Sequence, residues 1–118
     1  MALVKTYREL DIWRKAMDLA ALIYKITKTF PADEKFGLIS QMRRCAVSIP
    51  SNIAEGSARS SYKDFIKFLH YTLGSVAELE TQLLLSHKFG YIEYDYQEQL
   101  GEIRRKTLNY IKYLKTKL

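Results

Sequence analysis

From residue 10 to the C-terminus, apolar side chains recur every three or four positions, and the pattern breaks at only three short intervals. Residues at that spacing share one face of an α-helix. An all-β chain needs a turn signal about every ten residues. Five glycines and two prolines in 118 residues cannot supply them. The breaks predict helices over about residues 10–29, 33–58, 61–89 and 95–117. Asp11 is a plausible N-cap for the first helix, and Pro31 stops it. Asp33 and Glu34 favour the positive end of the second helix dipole. Ser60 or Ser61 caps the third, with Asp64 completing a capping-box-like pattern, and Gly90 is a natural residue just past its end. Asp95 caps the fourth. All connections are short, so neighbouring helices run antiparallel. The expectation is one all-α domain, residues 1–118, folded as an antiparallel up-and-down left-handed four-helix bundle.

The faces of these helices differ. In the fourth, Leu100, Ile103, Thr107, Tyr110, Ile111, Leu114 and Leu118 fall in an arc of roughly 100°, an ordinary core stripe. In the first, Ile12, Trp13, Ala16, Met17, Leu19, Ala20, Leu22, Ile23, Tyr24, Ile26 and Phe30 spread over roughly 220°. One bundle core cannot cover so wide a surface, so a neighbouring subunit is expected on it, with Ile12, Leu19, Leu22 and Ile26 at the oligomer interface. The second helix carries Pro50, which removes a backbone hydrogen bond and crowds the carbonyl of Ala46. The stripe Leu38, Ile39, Met42, Ala46, Ile49 and Ile53 continues across it, favouring one kinked helix over two. Ser40, Gln41, Arg44, Ser48, Ser51, Asn52 and Glu55 lie opposite. Such a face is solvated, or it is small enough for another helix or a partner to approach closely. In the third helix, Glu80 falls inside the apolar arc between Leu69 and Leu73. A buried carboxylate needs a partner, and Arg43, with Arg44 second, is the expected one.

Composition narrows the class further. Apolar residues make up 47% and charged residues 27%, the mix of an ordinary globular domain. The single cysteine, Cys45, excludes an internal disulfide and a Cys-based metal site. Among apolar neighbours it reads as a core filler rather than a reactive thiol. The first thirteen residues carry Lys5, Arg8, Glu9 and Asp11 and do not resemble a signal peptide. No apolar run approaches the roughly 18 residues of a membrane span. The expected compartment is therefore the cytoplasm, with no membrane contact.

Net charge is +6, with an isoelectric point of about 9.4, and its distribution is uneven. Up to Lys88 cations outnumber acids, and Glu93, Asp95, Glu98 and Glu102 cancel that excess. Arg104, Arg105, Lys106, Lys112, Lys115 and Lys117 then follow with no acid among them. With Tyr113 as a ring for stacking on an unpaired base, they make a candidate nucleic-acid surface. The plainer reading is cations complementing a helix C-terminus.

Catalytic patterns are missing. The chain has no GxGxxG, no GxxxxGK[ST], no GxSxG and no HExxH. His70 and His87 are not at helical spacing from one another, and neither belongs to a Glu-x-x-His pair of the kind that builds a di-iron bundle. A catalytic Glu80 would need a second carboxylate, a histidine or a nucleophile beside it, and none is placed there. No catalytic residue, cofactor or metal is expected.

One series of residues is more specific than any of these patterns. It runs Leu10-Asp11-Ile12-Trp13-Arg14-Lys15-Ala16-Met17, then Phe30-Pro31 and Glu34-Lys35-Phe36-Gly37-Leu38. Ser40-Gln41-Met42-Arg43-Arg44 and Ser48-Ile49-Pro50-Ser51-Asn52-Ile53-Ala54-Glu55-Gly56 follow. Lys63-Asp64-Phe65, Gly74-Ser75, Glu78-Leu79-Glu80-Thr81-Gln82-Leu83 and Gly90-Tyr91-Ile92 complete it. Over nearly its whole length the chain resembles the four-helix bundle proteins of the 23S rRNA intervening-sequence family. The resemblance implies a left-handed bundle assembling into a homopentameric barrel. Some relatives are encoded within insertions in large-subunit ribosomal RNA genes. More distant ones are the accessory variability determinants of diversity-generating retroelements, basic pentamers that bind a reverse transcriptase and its RNA. No residue-level match transfers that role here. Five copies would carry a charge of about +30, a field that attracts polyanions. The expectation is a non-enzymatic basic scaffold binding RNA, with a protein partner as an addition. The alternative is a scaffold that recognises protein alone through the face of residues 40–55.

Overall fold

The computed structural model describes residue 4 and residues 6–118. Lys5, one of the charges weighed against a leader peptide, lies outside the described residues. Four helices carry the fold: α1 (Asp11–Thr27), α2 (Leu38–Ser57), α3 (Tyr62–Lys88) and α4 (Gln97–Lys115). One-turn 3-10 helices at Tyr7–Glu9 and Ala32–Glu34 precede α1 and α2. No strand occurs among the described residues. At 1.5 Å per residue α3 is about 40 Å long, which accounts for most of the 47 Å long axis of a body only 21 by 19 Å across.

Cross-helix pairs fix the direction of each helix. Along α1 and α4, Asp11 meets Lys106 and Lys15 meets Glu102. Along α2 and α3, Cys45 reaches Ser75 and Glu78, Ser48 meets Ser75, and the Thr72 hydroxyl donates to the Ile49 carbonyl. Between α3 and α4, Phe65 packs edge-on to Tyr110. Glu80 with Arg104 gives α3 and α4 a second pair. In these three pairs of helices residue numbers rise on one as they fall on the other, which makes α1 and α2 antiparallel as well. Each helix packs against the next, and α4 closes on α1. The resulting all-α four-helix bundle is the fold that the apolar spacing predicts. Phe65, Ile23, Met42, Ile49, Leu69, Leu79, Leu100 and Leu114 fill its centre with almost no exposure.

Packing is tightest between α2 and α3 and thinnest between α1 and α4. Small residues cause the first of these. A β-carbon on Gly56 would lie 2.7 Å from Cβ of Phe68 and 2.9 Å from Cδ1 of Phe65, so only glycine lets α3 cross this close. Pro50 is buried within a continuous α2.

The helix ends follow local chemistry. Ser61 Oγ accepts the Asp64 amide at 3.1 Å, as the capping pattern predicts. At the end of α3, Gly90 has φ +81°. The Tyr91 amide returns to the Ser86 carbonyl at 2.9 Å and the Gly90 amide to His87 at 3.0 Å, a Schellman closure. Three helix starts differ from the sequence reading. α4 begins at Gln97 with Tyr96, at φ 55°, in the cap position, and Asp95 accepts the Gln97 amide at 3.2 Å from one residue further out. α2 begins at Leu38, because Asp33 and Glu34 wind into a 3-10 turn and Gly37 breaks helical geometry at φ −112°, ψ −111°. Glu34 still serves the helix from outside, its Oε1 accepting the Leu38 amide at 3.3 Å. α1 begins with Leu10 as cap and Asp11 in its first turn, since the Asp11 carboxylate is turned to Lys106.

Candidate nucleic-acid interface

The core stripe of α4 orients everything else on that helix. Leu100, Ile103, Thr107, Ile111 and Leu114 are buried, which leaves Arg105, Asn109, Lys112, Tyr113, Lys115 and Lys117 exposed. The expected contact residues divide accordingly. Arg104 is engaged by Glu80, and Lys106 Nζ lies 2.6 Å from Asp11 Oδ2. Arg105, Lys112, Lys115 and Lys117 have no acidic partner among the described residues. Lys117 Nζ sits 5.1 Å from the centre of the half-exposed Tyr113 ring, within cation–π reach. Tyr113 in turn leans on Tyr110 at 5.9 Å. Burial, then the neighbouring Tyr113 and Tyr62, hold the Tyr110 hydroxyl above its ordinary value.

Antiparallel order adds cations that the reading of α4 alone did not include. The connection between α2 and α3 lies at the same end of the bundle as the last turns of α4. Arg59, Lys63 and Lys67 are exposed there, with Arg59 stacked 4.5 Å over the Phe68 ring. The signal was available in the short 58–61 connection, once the up-and-down order is laid out. The opposite end holds Asp33, Glu34, Glu93, Asp95 and Glu98 against Lys28, Lys35 and Lys88. The first end also holds Glu9, Asp11, Glu55 and Asp64, fewer than its cations, so the molecule has a basic pole and an acid-rich pole.

Two expectations need correction. Glu80 pairs with Arg104, not Arg43. Projecting helices one at a time does not give the register between them, and that register sets Glu80 beside α4. Arg43 instead donates to Thr27 Oγ1 at 2.9 Å and stacks on Tyr24 at 4.7 Å. Of the proposed interface residues, Ile12 and Leu19 are 5% and 3% exposed and belong to the protomer's own core. Leu22 and Ile26 are half-buried along the α1–α4 side. The apolar surface that α1 leaves open lies elsewhere, at Met17 and Tyr24, next to Val47 of α2, which the sequence reading did not single out. The polar residues of α2 also have internal roles. Ser48 Oγ donates to Cys45 O at 2.6 Å and meets Ser75 Oγ at 2.7 Å, and Asn52 donates to Ser48 O at 2.9 Å.

Cys45 is buried, with Sγ 3.0 Å from the Ser75 carbonyl. Burial, followed by the nearby Glu78 carboxylate, pushes its thiol up to about 12, far from the thiolate range of reactive cysteines. His70 and His87 stand exposed and apart. Among the described residues no three His, Cys, Asp or Glu side chains gather as metal ligands, and no helix is long and apolar enough to cross a membrane.

Comparison with known proteins places this bundle. A solved structure of a protein of unknown function from the S23 ribosomal protein family of Bacteroides thetaiotaomicron VPI-5482 superposes with a TM-score of 0.61 at 28% identity. The match covers 87% of this chain and 94% of that one. No curated protein matches. The family model described as 23S rRNA-intervening sequence protein matches residues 8–115. The chain belongs to the 23S rRNA-intervening sequence protein family.

Proposed function

We propose that this protein is a non-enzymatic cytoplasmic scaffold, homo-oligomeric and by its family resemblance pentameric, that binds RNA through its basic pole. The observation that carries the reading is the pole itself. Arg105, Lys112, Lys115 and Lys117 are exposed without acidic partners among the described residues, and Arg59, Lys63 and Lys67 join them at the same end. Cations arranged this way contact phosphates and read little sequence. Tyr113 adds a stacking surface suited to unpaired bases. Oligomerisation multiplies the field, from +6 per chain to about +30 for five copies. Leu22 and Ile26, half-buried, are the two forecast interface positions that the protomer's own core does not fully cover.

The test combines Arg105→Glu, Lys112→Glu and Lys117→Glu in one variant and follows a labelled single-stranded RNA by anisotropy. Binding should be lost by more than about tenfold, and wild-type affinity should fall steeply with salt, as counterion release demands. RNA affinity unchanged by the triple reversal, or independent of salt, removes the reading. Sedimentation checks the assembly: a wild-type monomer at micromolar concentration would remove the oligomer. A protein-only scaffold acting through residues 40–55 has less in its favour, since Ser48 and Asn52 are engaged by α3 and by their own helix. The carboxylate of Glu80, the one candidate for catalysis, is held by Arg104.

A further inference from the structure

On the side of the bundle where α1 meets α2, a groove of about 430 Å³ opens to solvent. Trp13, Met17, Ala20, Tyr24, Val47 and Pro50 line it. Met17 remains 45% exposed, Tyr24 42% and Val47 44%, so this is apolar surface the protomer does not cover. Trp13 and Tyr24 are eleven residues apart, about three helical turns. The margins of the groove are cationic. Arg43 stacks on Tyr24 at 4.7 Å, and Arg8 lies 5.8 Å from the centre of the Tyr7 ring at the other end. Arg14 follows Trp13 on α1, Lys28 lies one turn beyond Tyr24, and Arg44 lies one turn before Val47. All three are exposed. No acid lines the groove; exposed Asp18, next to Met17, and Glu55, next to Ala54, are the acids adjoining its lining on α1 and α2, outnumbered by the cations.

We propose that this groove docks an amphipathic helix of a protein partner, one with an apolar stripe flanked by Asp and Glu. An apolar floor three turns long accepts anchors at i, i+4 and i+7. A cationic margin selects acidic flanks and repels basic ones. Leu22 and Ile26, the positions proposed to meet a second copy, lie on the opposite face of α1 from Trp13, Met17 and Tyr24, which leaves the groove to a different occupant. The inference goes beyond RNA binding and stands apart from it, because the groove and the basic pole use different residues.

The probe is a synthetic fluorescein-labelled helical peptide with Leu or Phe at i, i+4 and i+7 and Glu on both flanks. A twin carries Lys in place of Glu. Trp13 is the chain's single tryptophan, so its emission reports occupancy of the groove directly. The Glu peptide should bind and shift that emission, with affinity at least about tenfold above the Lys peptide. Met17→Glu with Val47→Glu should abolish binding while helix content by circular dichroism and RNA affinity stay unchanged. Arg14→Glu with Arg44→Glu should reverse the preference between the peptides. Equal binding of both peptides, or none, overturns the proposal. So does a drop in sedimenting mass for the Met17→Glu, Val47→Glu variant, which would make a second copy the occupant. Loss of RNA binding in that variant would assign the groove to nucleic acid and overturn it equally.

Discussion

A β-carbon added to Gly56 and one added to Gly74 would act in opposite directions, although both residues sit inside helices. At Gly56 the new atom meets Phe68 and Phe65 below 3 Å, so Gly56→Ala should cost about 1–3 kcal/mol through overpacking. At Gly74 nothing lies within 4 Å. Gly74→Ala should therefore stabilise by about 1 kcal/mol, the difference in helix propensity. Urea unfolding of the two variants checks both signs, and a stable Gly56→Ala would refute the close α2–α3 crossing. Cys45 gives a residue-scale prediction in pH. Its thiol titrates near an ordinary 9.0 when unfolded and at about 12 when folded. Below pH 9 both states keep the proton. From about pH 9 upward the unfolded chain releases it first, so stability falls as pH rises toward 12. Cys45→Ala should remove that component of the alkaline slope. Native protein at pH 8 should resist alkylation that the urea-unfolded chain undergoes readily.

Between helices, the thin α1–α4 side is braced by two surface ion pairs, Asp11–Lys106 and Lys15–Glu102. The Lys106 hydrogen bond holds the Asp11 carboxyl below its ordinary 3.8, and the Lys15 hydrogen bond holds Glu102 below 4.5. Depressed carboxylates contribute stability that is present above those ordinary values and is lost as pH falls through the folded ones. Amide exchange on α1 and α4 should accelerate relative to α2 and α3 as pH drops below about 4.5, once the intrinsic pH dependence is divided out. Uniform acceleration across all four helices would show that the pairs do not brace this side. The same pairs mark where sequence reading stops. Periodicity was enough to give four helices, the Ser61 cap and the Gly90 closure, because each depends on residues a turn or less apart. The partner of Glu80 and the burial of Ile12 and Leu19 depend on how two helices slide past one another, which no single helix encodes. Of the candidate interface, the α4 cations were legible as a run of residues, whereas Arg59, Lys63 and Lys67 joined them only through the antiparallel order.

At the level of the whole molecule, the RNA reading rests on a pole rather than a stripe. Removing Arg59, Lys63 and Lys67 by substitution with Ala should therefore weaken RNA binding although none lies on α4, and each lost phosphate contact should flatten the salt dependence. A triple variant with wild-type affinity would confine the surface to α4. The acid-rich end 47 Å away along the same axis has a kinetic consequence. A rod with unlike ends feels a torque in the field of a polyanion and turns before contact, so encounters arrive already aligned. Low ionic strength should thus quicken association as well as tighten it, and a salt series of association rates measures that.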